Sequence, residues 1–141
     1  MRRTSILLVL LLLSGVASAK EWLCVPEKVM SLGSEGEWKT TNVSAPKNWL
    51  VAEEQLPDSS ASIFYVVRET GGDSTKFLCE TEQTGLPQLE CYAHELRDRF
   101  RFNKNTNIYA RTGFLSDLSG ETNDYTPLIE LGKCSLRSKT G

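Results

Sequence analysis

The sequence predicts an all-β domain: an antiparallel sandwich or small barrel of about eight short strands, stapled by two disulfides. Two observations predict it. Short runs rich in β-branched and aromatic residues alternate with turn clusters along the chain. Four cysteines, Cys24, Cys79, Cys91 and Cys134, follow an export signal, and paired cysteines persist where the surroundings are oxidising. The fairly regular strand spacing fits a sandwich and a barrel equally, and the sequence leaves the two open.

The export signal comes first. Arg2 and Arg3 form a positive start, Ile6 to Leu13 is an unbroken apolar run, and Ala17-Ser18-Ala19 is a small-residue cleavage box. The run is too short for a helix that spans about 30 Å of hydrocarbon. Residues 1–19 are therefore expected to be cleaved, 20–137 to form a single β-domain, and 138–141 to be a flexible tail. Removing 19 of 141 residues leaves 122, a length that suits one domain. The formal charge of −2 becomes −4 once Arg2 and Arg3 are lost. That mild acidity argues for no nucleic acid and no anionic membrane surface as a partner. The expected location is periplasmic or secreted, with no membrane span. The oligomeric state is left open.

The strands follow in order. Trp22-Leu23-Cys24-Val25 stops at Pro26. Gly33 to Gly36 is a turn, and Glu37 to Thr40 a short strand. Trp49 to Ala52 is the next, closed by the cluster Pro57 to Ser60. Ile63 to Val67 is a continuous apolar run ended by Gly71-Gly72-Asp73, long enough for a buried strand but not for a helix. Lys76 to Cys79 and Leu89 to Tyr92 form a hairpin around Gly85-Leu86-Pro87. Between Leu89 and Phe102 two periods compete. Leu89, Tyr92, Ala93, Leu96 and Phe100 fit helical spacing, whereas Leu96, Phe100 and Phe102 alternate with Arg97, Arg99 and Arg101. The alternation predicts a strand over Arg97 to Phe102, broken at Asp98, and leaves Ala93-His94-Glu95 undecided. Ile108 to Phe114 follows, and Leu128 to Leu131, set off by Pro127 and Gly132, is last. Nearly all twelve aromatic residues fall in these strands, as core residues do. If the sheet closes, a few of them would instead line an apolar ligand cavity.

Four cysteines allow three pairings. The favoured one is Cys79–Cys91, face to face across the hairpin, with Cys24–Cys134 joining the first strand of the mature chain to the last. No C-x-x-C pair occurs, so neither a structural zinc site nor a thioredoxin-type motif is supported. Four half-cystines also supply no thiol nucleophile.

Other candidate chemistry is sparse. His94 is the sole histidine, with Glu95 and Asp98 beside it, but no G-x-S-x-G accompanies it. A hydrolase built on His94 is the remotest alternative, and catalytic residues are expected to be none. Asp117, Asn123, Glu121 and Asp124 offer oxygen ligands, yet their spacing is not that of a calcium loop. No metal and no cofactor are expected. The sequon Asn42-Val43-Ser44 is incidental in a bacterial-looking export route.

The sharper feature is a basic stripe. Arg97, Arg99 and Arg101 project from one strand face about 6.6 Å apart, with Lys104 and Arg111 near it. Three guanidinium groups in a row can grip carboxylates or phosphates. The plainer reading pairs them with Glu80, Glu82 or Glu90 on a neighbouring strand. Nucleic acid would need stacking aromatics on the same face, and Phe100 and Phe102 alternate away from it.

The layout Trp22-x-Cys24, Trp38, Cys79, Cys91, Arg99-Phe100, Tyr109, Gly113-Phe114 and Pro127-x-Ile129-x-x-Gly132-x-Cys134 resembles small secreted proteobacterial proteins of uncharacterised function. It covers most of the mature chain. The resemblance implies export and a cysteine-bridged β-fold, and no activity. In size and disulfides the chain is also similar, at the level of class, to periplasmic lysozyme-inhibitor barrels. Their serine- and tyrosine-bearing loop motif is not found here, so no residue role carries across. The expectation is an exported binding or interaction protein of the cell envelope that engages an envelope protein or anionic polymer, in an inhibitory role or otherwise. A small apolar-ligand carrier is the alternative.

Overall fold

Alternation at period two organises the molecule, because a strand sends successive side chains to opposite faces. The computed structural model describes residues 19–42, 46–55, 63–72, 74–79, 87–93, 98–114 and 126–137. Nine strands are described: β1 Glu21–Leu32, β2 Trp38–Thr40, β3 Trp49–Gln55, β4 Ile63–Glu69, β5 Thr75–Cys79, β6 Gln88–Ala93, β7 Arg99–Asn103, β8 Ile108–Phe114 and β9 Pro127–Arg137. From β3 to β9 each strand pairs antiparallel with the next in sequence, β1 pairs with β3, and β9 returns to pair with β1. This last pairing closes an eight-stranded barrel and decides against a sandwich. β2 stands outside the ring. The first residues of β1 pair with β3 (Cys24 opposite Trp49), and its last residues pair with β2 (Leu32 opposite Trp38).

A ring of eight strands is just wide enough for side chains to fill. Trp22, Trp49, Tyr65, Phe77, Phe100, Phe102 and Tyr109 all face inward in one cluster with Leu89, Val51 and Val67. Phe100 and Tyr109 stack at 4.9 Å between centroids, and Trp22 meets Phe102 edge-on at 5.6 Å. Both disulfides lie within this cluster and join residues directly opposite in register. Cys24 bonds Cys134 across β1 and β9, and Cys79 bonds Cys91 across β5 and β6. The expected pairing is thus the one present, and it is of the kind an oxidising compartment maintains.

Strand ends shift from the sequence reading at several places, as where β3 runs to Gln55 rather than Ala52 and β4 to Glu69 rather than Val67; three of the differences have a clear physical reason. β1 does not stop at Pro26. It continues to Leu32 because Glu27 forms a bulge against β9, with Pro26 opposite Gly132 and Lys28 opposite Leu131, and a bulge tolerates the missing proline N–H. β9 likewise runs through Gly132 to Arg137. Gly132 is required there. A β-carbon at that position would lie 2.2 Å from the Val25 carbonyl oxygen and 2.5 Å from the Tyr109 ring. Finally, β7 begins at Arg99 rather than Arg97, and Asp98 before it turns inward to pair with Arg111.

The outer faces carry ion pairs, including Arg101–Glu90 at 3.2 Å, Lys133–Glu27 at 3.0 Å and Arg68–Glu54. Among the described residues no helix is long and apolar enough to cross a membrane.

Candidate binding site

Three ionisable residues sit on inward positions of the alternation and are buried: Asp98, Arg111 and Glu130. Arg111 shares its face with Tyr109, Glu130 shares its face with Leu128 and Cys134, and Asp98 shares its face with Phe100 and Phe102. Register brings Arg111 opposite Glu130 across β8 and β9. Arg111 Nη2 donates to Asp98 Oδ2 at 2.9 Å. Its guanidinium also lies 5.0 Å over the Trp49 ring and 6.0 Å over Phe77. Gly113 leaves room for the aspartate, since a β-carbon there would lie 2.5 Å from Asp98 Oδ1.

Beneath this pair, Glu130 Oε1 accepts hydrogen bonds from Trp49 Nε1 at 2.8 Å and from the Tyr109 hydroxyl at 2.7 Å. Burial pushes the Tyr109 phenol far above its ordinary value, and the adjoining Glu130 carboxylate adds to the rise. The phenol therefore acts as a fixed donor. Glu130 Oε2 is buried with no hydrogen-bond partner.

Above the pair opens a cavity of about 300 Å³ at the end of the barrel where β3, β5 and β7 begin. Trp49, Phe77 and Ala93 form its apolar wall, and Asp98 and Arg111 lie on one side. Lys47, Glu69 and Lys76 complete the lining, with Lys47 Nζ 3.1 Å from Glu69 Oε2. The lining thus carries three cations against two carboxylates. Ring faces, ammonium groups and carboxylates arranged in this way can hold a ligand by charge, hydrogen bonding and apolar contact. A buried ion pair is weak evidence of a stability role, because well-packed apolar residues of similar volume serve stability as well or better. The Asp98–Arg111 pair is therefore more informative about this cavity than about the core.

The sequence-predicted stripe is divided. Arg99 and Arg101 are exposed on one face of β7, as the alternation predicts. Arg101 is held by Glu90, one of the acidic partners expected, and the Arg99 guanidinium lies 5.6 Å over the Tyr92 ring. Arg97 and His94 lie outside the described residues, as do Asp117, Glu121, Asn123 and Asp124. Arg111 does not join the stripe, because its parity with Tyr109 sends it inside the barrel. Lys104 does not either, and lies 5.2 Å over the Tyr65 ring. Among the described residues, no three His, Cys, Asp or Glu side chains cluster to hold a metal.

The sequence reading misses Asp98, Arg111 and Glu130 as a group, and the signal that could have found them is phase: a charged residue in phase with core residues of its own strand faces inward. Comparison with family models, with curated proteins and with solved structures finds no match for this chain.

Proposed function

We propose that this chain is an exported binding protein of the cell envelope, not an enzyme, and that it engages an anionic partner at the cavity end of its barrel. One observation carries the reading: a closed, doubly cross-linked barrel whose end cavity of about 300 Å³ is lined by Lys47, Lys76 and Arg111 against two carboxylates. The cross-links favour a rigid, preformed site, which keeps the ordering cost of binding low. The Arg2-Arg3 start, the apolar run and the Ala17-Ser18-Ala19 box support export. The Arg99–Arg101 face is the weaker contact surface, because Glu90 and Tyr92 already engage it. A carrier of wholly apolar ligands fits less well, given the charged lining.

Position-specific photo-cross-linking tests this. A benzophenone side chain is placed at position 74, an exposed residue two before Lys76 so that the ammonium itself is kept, or at position 101, and the oxidised mature chain is irradiated in envelope extract. Native mass spectrometry of the untreated chain from the same extract reads retained small ligands. A discrete adduct at 74 but not at 101, or a retained ligand, supports the reading. No adduct at either position and no retained mass overturns it.

A further inference from the structure

Resting on the cavity as the binding site, we infer that its ligand is a small monoanion: one carboxylate carried on a body of about one aromatic ring. The inference starts from a bulge. In the β4–β5 ladder Val67 pairs with Phe77 and Arg68 with Thr75, so Lys76 is the extra, unpaired residue. Bulges at barrel rims re-aim the side chain they carry. Phe77 faces the core, yet its neighbour Lys76 also lines the cavity.

The charges of the lining then leave one position open. Lys47 holds Glu69 and Arg111 holds Asp98. Lys76 has no ion-pair partner among the described residues, so the lining presents a single uncompensated ammonium. An anionic head on Lys76 places the rest of the ligand against Phe77, Trp49 and Ala93. These surfaces are apolar, and the Trp49 N–H is already committed to Glu130, so that body needs no hydrogen-bonding edge. Size sets the remaining limit. About 300 Å³ is the lower end of the range for small-molecule pockets, about 300–1,000 Å³. A single ring with a short linker fits. A long acyl chain or a polymer segment does not.

The test uses the oxidised chain 20–141 and 3-phenylpropionate as probe, with 3-phenylpropionamide as its uncharged counterpart, followed by backbone amide NMR. The expected result is saturable shifts at Lys76, Phe77 and Ala93 at millimolar probe. The amide should bind about tenfold more weakly or worse, as loss of a charged hydrogen-bond partner requires. Lys76→Glu and Lys76→Gln should each weaken the carboxylate by about the same factor while keeping a dispersed spectrum. Lys39→Gln, on exposed β2, should change nothing. Equal binding of acid and amide, shifts centred on Arg99 and Arg101, or no shifts at all would overturn the inference. An adduct at position 74 in extract combined with no phenylpropionate binding rejects this ligand class and leaves the binding-protein reading standing. Absence of both rejects both.

Discussion

Replacing Glu130 tests whether the buried polar floor is a working part of the barrel. Glu130 is fully buried, and its Oε1 satisfies two buried donors, Trp49 Nε1 at 2.8 Å and the Tyr109 hydroxyl at 2.7 Å. Glu130→Ala orphans both. Each buried donor left without a partner costs about 1–3 kcal/mol, so two give about 2–6 kcal/mol. Removing a buried carboxylate whose Oε2 lacks a hydrogen bond offsets part of this, and the expected loss is about 2–4 kcal/mol. That is a large share of a typical stability of about 5–15 kcal/mol. Glu130→Gln keeps an oxygen for both donors and exchanges ionic hydrogen bonds for neutral ones, which are about half as strong. Its expected cost is about 1–2 kcal/mol. Urea unfolding of the oxidised chain, followed by tryptophan fluorescence, reads both. The reasoning fails if Glu130→Ala lies within about 0.5 kcal/mol of the parent, or if Glu130→Gln costs as much as Glu130→Ala.

Three further outcomes follow from the same geometry. Tyr109 has its phenol raised by burial and by Glu130, so above about pH 10 the unfolded chain releases a proton that the folded chain retains. Stability should then fall as pH rises, by up to about 1.4 kcal/mol per pH unit, and Tyr109→Phe should flatten that slope in urea midpoints measured across the alkaline range. Gly132→Ala drives a β-carbon to 2.2 Å from the Val25 oxygen and should cost about 1–3 kcal/mol or more, whereas Gly72→Ala meets its nearest atom at 3.5 Å and should stay within about 0.5 kcal/mol. Replacing Cys24 and Cys134 together by alanine opens a loop with sequence separation 110, against 12 for Cys79 and Cys91. The chain-entropy model gives about 4.7 kcal/mol for a loop of about 100 residues and about 3 kcal/mol for a short one, and the reverse order in denaturant midpoints would contradict it.

Much of the barrel was legible because its strands are half-buried and alternate cleanly. The sequence reading places Ile108–Phe114 at its observed bounds, and the favoured cysteine pairs, which follow from strand adjacency, are those present. What escaped was continuity across Pro26 and Gly132. Each is locally a breaker, and each is tolerated because the other faces it across the β1–β9 seam, a pairing between distant segments that no local window contains. The site escaped for a different reason. A charged residue in a strand reads as solvent-facing by default, so the sequence reading groups Arg111 with the exposed arginines and gives Glu130 no role. Phase was the available signal. Glu130 lies four residues before Cys134 on the same face, and once Cys134 is inside, Glu130 must be inside too. The cavity itself was not legible, because Lys47, Lys76, Ala93 and Asp98 meet only after the ring has closed.

The Cys24–Cys134 bond has a consequence for survival under proteolysis. Every peptide bond between those two residues lies inside one covalent loop. A single cut anywhere along it, in a strand or in any connection, releases no fragment, because the two pieces stay tethered at the seam. Their strands remain at high local concentration and can pair again. A lone nick thus leaves one molecule, and a second cut is needed before any piece can leave.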